Sequence, residues 1–340
     1  MATTFAVPDG RVAMNTVLRN GFGTSGGSIT SLNFQPDFIW EKRRNVGVGN
    51  HFLVDSVRGA TKTLSSNITS VEATYNNYFI SFNSNGYSLG VGDYTSTDSL
   101  VDWCWKAGGA AVANTSGTIT SSVSANTTTG FSVVTFTSPA TSITFTVGHG
   151  LGIAPAMIFL KDRGQASYWG VYHSSATTNN NSLYLNTTDV VTASTSVWGT
   201  ALPTNAVFGS YSGVGTQLND TCVAYCWPPV AGYSAFGSYT GNSSADGPFI
   251  YTGFKPRWFM IKNITVAGQW MIWDSSRDTY NPEAARLDAQ DSAIELSVSV
   301  GDFVSNGIKL RVTGTSYNAT GSTYIYAAFA ENPLKYSNAR

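Results

Sequence analysis

Three lysines recur with the same neighbours. Lys42, Lys161 and Lys262 each end a short apolar run that begins six positions earlier, at Pro36, Pro155 and Pro256. Further along each copy, a second apolar run ends in Asp55, His173 or Asp274 and is followed by Ser56, Ser174 or Ser275. An amine and a carboxylate brought together could exchange a proton or hold a ligand. On the outer face of a hairpin the same two groups form a cross-strand ion pair worth a few tenths of a kcal/mol to about 1 kcal/mol. A catalytic pair would have to exist three times, and one copy carries His173 in place of Asp. The lysines are therefore expected to support hairpins. No catalytic residue is assigned, and Lys161→Ala is expected to cost about 0–1 kcal/mol.

Other reactive side chains are few. No two of His51, His149 and His173 stand at a metal-ligand spacing with a partner, so no metal site is expected. His149 lies in Gly148-His-Gly-Leu-Gly152, which reads as a turn, because a phosphate loop needs a helix after it and here another strand follows. Neither a Gly-x-Ser-x-Gly elbow nor an Asp-x-Asp-x-Asp-Gly calcium loop occurs. A carboxylate pair for glycoside cleavage is a matter of spatial geometry and stays open at this level. Asn67, Asn186 and Asn318 begin Asn-x-Ser/Thr triplets of the kind that composition alone produces. Cys222 and Cys226 fall in one strand, about 13 Å apart. That exceeds the roughly 7 Å a disulfide spans, so with Cys104 they read as buried free thiols. Trp40, Trp103, Trp105, Trp227 and Trp273 sit inside strands and belong to the core. Trp198, Tyr75, Tyr78, Tyr94 and Tyr211 lie in less regular sequence and are expected at the surface, where aromatic faces could stack on sugar rings.

The elements that carry these residues form a triplication. The closing runs Val101-Asp-Trp-Cys104-Trp105, Val223-Ala-Tyr-Cys226-Trp227 and Ile325-Tyr-Ala-Ala328-Phe329 correspond, and Ser84-Asn85-Gly86 matches Ser305-Asn306-Gly307. Units of roughly 100 residues exceed solenoid periods of about 20–50 and read as tandem domains. Local signals are β. Asp37–Lys42 and His51–Asp55 form a hairpin around a Gly-rich loop, and each Pro fits a strand's first position. Asn85-Gly86 and Asn306-Gly307 suit a tight turn with both central residues at positive φ. The best helix signal is Asn281-Pro-Glu-Ala-Ala-Arg-Leu287, with Asn as cap and Pro at the first helical position. Residues 107–130 read as linker plus one edge hairpin. The expected fold is all-β: tandem β-sandwich repeats, jelly-roll or lectin-like, with very little helix. The divisions are a segment over 1–15, a first repeat over 16–112, linker plus second repeat over 113–231, and a third repeat over 232–340.

Composition narrows the function classes. The 340 residues include 80 Ser and Thr but only 11% charged residues, against about 25% in an ordinary soluble domain. The net charge of −1 offers no basic surface for nucleic acid. No apolar run reaches the roughly 20 residues of a spanning helix, so no membrane insertion is expected. Neither a signal peptide nor a sustained heptad pattern is read.

Several long stretches resemble a family of β-domains in bacteriophage structural proteins, common in marine and cyanobacterial phages and often labelled tail fibre proteins. The matching runs are Pro36-Asp-Phe-Ile-Trp-Glu-Lys42, Asp55-Ser-Val-Arg-Gly-Ala-Thr-Lys62, Trp103-Cys-Trp-Lys106, Gly148-His-Gly-Leu-Gly-Ile-Ala-Pro155, Gly232-Tyr-Ser-Ala-Phe-Gly-Ser-Tyr239 and Tyr326-Ala-Ala-Phe-Ala-Glu-Asn-Pro333. The resemblance implies a virion protein, assembled in the host cytoplasm, and carries over no catalytic residue and no cofactor. The expected role is a tail fibre or receptor-binding protein meeting a host glycan or receptor alongside other virion proteins. A capsid decoration or head-fibre protein is the alternative, and a capsule-degrading enzyme a further one. Weak contacts gain by multiplication, so a homo-oligomer, with a trimer favoured, is expected, and residues 1–15 are expected to anchor it.

Overall fold

Runs such as Met157-Ile-Phe-Leu160 do not alternate between apolar and polar residues. A strand with such a run has both faces covered. In the computed structural model, which describes residues 6–47, 49–177, 181–193, 197–199, 202–213 and 216–331, this is what the strands do. All 27 strands named among these residues pair antiparallel, and the one α-helix is a single turn, Thr315–Asn318. The fold is all-β with very little helix.

Three units share one strand order. In unit 1 (residues 14–105) the large sheet places a lead strand, Met14–Asn20, beside the closing strand, Ser99–Trp105. The lysine strand, Phe38–Arg43, the aspartate strand, Phe52–Asp55, and an outer strand, Lys62–Ser65, follow in that order. Unit 2 (112–227) repeats the order with Phe131–Thr137, Thr221–Trp227, Met157–Asp162, Gly170–His173 and Asn181–Tyr184. A hairpin, Val112–Asn114 and Ser121–Asn126, extends its lead edge. Unit 3 (234–330) repeats it with Ser234–Thr240, Thr323–Ala330, Pro256–Asn263, Trp270–Asp274 and Glu283–Asp288. The register agrees as well. Phe38 faces Asp55, Met157 faces His173 and Trp258 faces Asp274. The three Pro-to-Lys strands thus occupy one place in their sheets.

Against each large sheet packs a smaller one, made by Gly27–Ile29, Phe79–Asn83 and Gly86–Leu89 in unit 1 and by Thr144–Gly148 and Val207–Tyr211 in unit 2. In unit 3 it is Phe249–Tyr251, Leu296–Val304 and Gly307–Leu310, which continues from the outer strand. Ile39, Val54 and Cys104 meet Phe79, Tyr87 and Leu89 inside the first sandwich. The opposite faces of all three large sheets meet each other. Phe38, Trp40, Trp103 and Trp105 of unit 1 share one continuous core with Phe131, Phe159, Tyr225 and Trp227 of unit 2 and with Trp258, Met260 and Phe329 of unit 3. Ring centroids of Trp105 lie 6.1 Å from Trp227 and 5.6 Å from Phe329, so aromatic residues fill the junction of the three units. All nine tryptophans are buried there or in the sandwich interiors.

Several expectations are corrected. Residues 283–288 form a strand between the aspartate strand and the small sheet, not a helix. Leu287 and Ala289 enter the shared core, and that burial outweighs the local capping signal. The tight turns use Ser84–Asn85, with Asn83 paired to Gly86 and Val304 to Gly307, so each glycine is already in its strand. These glycines serve close approach instead. A Cβ at Gly86 would stand 1.8 Å from the Ile29 carbonyl oxygen, and one at Gly307 would stand 2.1 Å from that of Ile250. Within the N-terminal segment, Val7, Ala13 and Met14 lie in the shared core and Met14 begins the lead strand. Residues 1–5 and 332–340 of the expected end segments lie outside the described residues.

Candidate functional site

The recurring charged residues lie at the seams between units. Lys42, Lys161 and Lys262 are fully buried, not on an outer hairpin face, and none pairs with the conserved-in-copy Asp or His. Each ammonium donates to its own hairpin loop and to the next unit. Lys42 Nζ reaches Gly49 O at 2.8 Å and Ser292 O of unit 3 at 2.9 Å. Lys161 reaches Ser167 Oγ at 2.9 Å and Thr69 O of unit 1 at 3.2 Å. Lys262 reaches Gly268 O and, at 2.8 Å, Thr188 O of unit 2. Burial pulls all three amines down to about 8. The contacts run 1 to 3, 2 to 1 and 3 to 2, so the three units close into a ring with approximate three-fold symmetry.

A second set repeats this direction. His51 Nε2 donates to Asp288 O at 2.9 Å, Trp169 Nε1 to Ser65 O at 2.8 Å and Trp270 Nε1 to Tyr184 O at 2.8 Å. These three donors hold one position in the three aspartate hairpins, four residues before Asp55, His173 and Asp274.

The Asp and His residues run the ring the other way. Tyr225 of unit 2 donates to Asp55 Oδ2 at 2.7 Å, and Trp103 Nε1 of unit 1 donates to Asp274 Oδ2 at 2.9 Å. In the third seam the corresponding closing-strand residue is Ala327, which has no donor. There His173 Nε2 donates to the Tyr326 carbonyl at 3.0 Å. The substitution of His for Asp thus follows from the partner across the seam.

The charges around each carboxylate obey the same logic. In the 1–2 seam Arg58 pairs with Asp55 and with Glu72 at 2.8 Å, and Arg163 grips Glu72 with two bonds of 2.8 Å. In the 3–1 seam Arg277 pairs with Asp274 and with Glu295 at 3.0 Å, and Arg44 grips Glu295 at 2.8 and 2.7 Å. In the 2–3 seam the equivalent positions are Ala176, Val191 and Ile264, all packed on the shared core. A buried charge costs heavily unless it is paired. The Arg, Glu and Arg positions are therefore charged in two seams and apolar in the third, where His173 makes the remaining polar contact.

The three histidines have no ring nitrogen to spare. Trp40 Nε1 donates to His51 Nδ1 at 3.0 Å, the Ser175 amide to His173 Nδ1 at 3.2 Å and the Leu151 amide to His149 Nδ1 at 3.2 Å. Each Nε2–H then donates to a backbone carbonyl, that of His149 to Thr204 O at 3.1 Å. Burial keeps these rings neutral, holding His173 down to about 4. Cys104, Cys222 and Cys226 are free and buried, and burial pushes their thiols up.

Sequence reasoning missed the densest cluster of ionisable groups. Inside the first sandwich Arg19 holds Glu41, Asp102 at 2.7 Å and Asp93 at 2.8 Å, while the Tyr78 and Tyr87 hydroxyls cap Glu41 and Asp102. Burial pushes the Glu41 carboxyl up, against the pull of the Arg19 guanidinium. The signal was present: Glu41 and Asp102 stand where unit 2 has Leu160 and Ala224 and unit 3 has Ile261 and Tyr326. The aromatic expectation also changes. Trp198 and Tyr78 are buried and Tyr94 and Tyr211 half-buried, whereas Tyr75 is exposed, as are Tyr168, Tyr251 and Tyr280. Among the described residues no group of three or more His, Cys, Asp and Glu side chains is arranged to hold a metal ion. No helix there is long and apolar enough to cross a membrane.

No curated protein and no solved structure matches the chain. One family model does, over residues 11–333, a stretch that takes in all three units and every seam. The chain belongs to the family described as a domain of unknown function, DUF7483.

Proposed function

We propose that this protein is a virion component that works by contact, as a tail fibre or receptor-binding protein meeting the host surface. The observation that carries this reading is the fate of its ionisable groups. The recurring Lys, Asp, Arg and Glu residues turn inward and close the seams. The outside keeps scattered ion pairs, such as Arg11 with Asp9 and Arg311 with Asp302, among hydroxyl and amide side chains and exposed aromatics such as Tyr75, Tyr168, Tyr251 and Tyr280. Such a surface suits neutral, hydroxyl-rich partners whose binding salt does not screen. The resemblance to phage structural proteins supports the same assignment. A homo-oligomer of the whole chain, with a trimer favoured, multiplies such weak contacts, and light scattering above the 36.2 kDa of a single chain is the expected result.

A capsid decoration role is the second reading. One body with approximate three-fold symmetry fits a three-fold position on a shell with a single copy, and that is the feature in its favour. Immunogold electron microscopy of intact particles separates the two. Label at the tail tip supports the first reading, label over the head the second, and unlabelled particles overturn both.

A further inference from the structure

The triplication supplies an internal control. A residue that recurs in all three units belongs to the shared ring, and a surface-reaching aromatic pair found in a single unit, with no ion pair to explain it, is a candidate for another role. Tyr168 and Tyr184 meet that test. Tyr168 lies two positions before Gly170, where unit 1 has Asn50 and unit 3 has Gln269. Tyr184 faces Gly170, where Ser65 faces Phe52 and Asp288 faces Met271. The two tyrosine rings lie 5.0 Å apart with their planes 40° from parallel, and Tyr168 is 54% exposed. Both line a cavity of about 340 Å³ at the 1–2 seam. Gly170, standing where the other units carry Phe52 and Met271, lines the cavity together with Val197, whose side chain would lie 2.8 Å from a Cβ at Gly170.

Hydrogen bonds tie several parts of the cavity wall in place. The Ser167 amide donates to Thr69 O at 3.0 Å and Lys161 donates to the Ser167 hydroxyl, so the residue before Tyr168 is tied to unit 1. The Trp169 amide donates to Asn186 Oδ1 at 2.9 Å, which ties the residue after it. Asp162 accepts the Gln217 backbone N–H at 2.7 Å and fixes this lining residue in place. The volume lies within the range of small-molecule sites, about 300–1,000 Å³. An aromatic face flanked by neutral hydroxyl and amide groups matches a pyranose ring, which has an apolar C–H face and hydroxyls around its edge.

We propose that this cavity is a saccharide subsite, with Tyr168 and Tyr184 stacking on a pyranose and Ser167 and Gln217 meeting its hydroxyls. The proposal rests on the contact reading above and names its ligand class. Saturation-transfer NMR with the methyl glycosides of glucose, galactose and N-acetylglucosamine is the test, on the full chain, alongside Tyr168→Ala, Gln217→Ala and the control Val266→Ala at an exposed position in unit 3. At least one glycoside is expected to bind at about millimolar Kd. Affinity falls at least tenfold in the first two variants and is unchanged in the control, with unaltered melting temperatures. No saturation transfer to any of the three sugars, or wild-type affinity in Tyr168→Ala, overturns the subsite. Adsorption of labelled protein to host cells separates this from the broader reading. Adsorption that survives Tyr168→Ala defeats the subsite alone, and failure of the wild type to adsorb defeats the contact reading, leaving the NMR result to decide the subsite.

Discussion

Lys161 changes meaning once its surroundings are known. On an outer hairpin face it would be worth little, and the expected loss on truncation would be about 0–1 kcal/mol. Its ammonium is instead enclosed, donating to Ser167 Oγ, Gln165 O and Thr69 O. Lys161→Ala strips those acceptors of their donor and leaves a cavity where the alkyl chain packed. Unsatisfied buried groups and cavities each cost about 1–3 kcal/mol or more, so a loss of about 2–4 kcal/mol is expected in denaturant unfolding. A loss below about 1 kcal/mol would return the lysine to the surface role. The recurrence of Lys42, Lys161 and Lys262 was plain in the sequence. Their burial was not, because a lysine closed in by backbone carbonyls has no sequence partner to betray it.

At the scale of strands and seams, the three interfaces form a natural substitution series. Asp55, Arg58, Glu72, Arg163 and Tyr225 in one seam correspond to His173, Ala176, Val191, Ile264 and Ala327 in another. Breaking a buried ion pair from one side strands its partner, at about 3–5 kcal/mol, whereas exchanging the whole set for apolar residues can be nearly neutral. Arg58→Ala alone is thus expected to cost about 3–5 kcal/mol. The fivefold exchange Asp55→His, Arg58→Ala, Glu72→Val, Arg163→Ile and Tyr225→Ala is expected to cost less than that single change. Urea titrations of both variants check this, and additive losses across the five positions would refute the correspondence. Much of this level could be read in advance. The Pro-to-Lys runs marked the lysine strands, and arginines at Asp55+3 and Asp274+3 already signalled a repeated ion pair. The segment 283–288 misled because a helix cap is a local cue, while the strand there is held by its neighbours and by Leu287 in the core.

For the whole molecule, the unread signal was the lack of alternation. Phe38-Ile-Trp40, Met157-Ile-Phe-Leu160 and Trp258-Phe-Met-Ile261 are apolar on both faces, so each large sheet had to be covered twice. Read singly, they suggest strands in separate sandwiches. Read together, they require that the sandwiches bury a second face against each other. The candidate saccharide cavity was legible only in part. Tyr168 and Tyr184 stand out as aromatic once the units are aligned, but the hollow beside them depends on how Thr69, Val197 and Gln217 come together in three dimensions. A ring that shares one core should unfold as one object, because removing any unit exposes the aromatic faces of the other two. Differential scanning calorimetry of the intact chain tests this most directly. A single transition with calorimetric and van't Hoff enthalpies in agreement is the expected result, and three resolved transitions, or a ratio near 3, would contradict the closed ring.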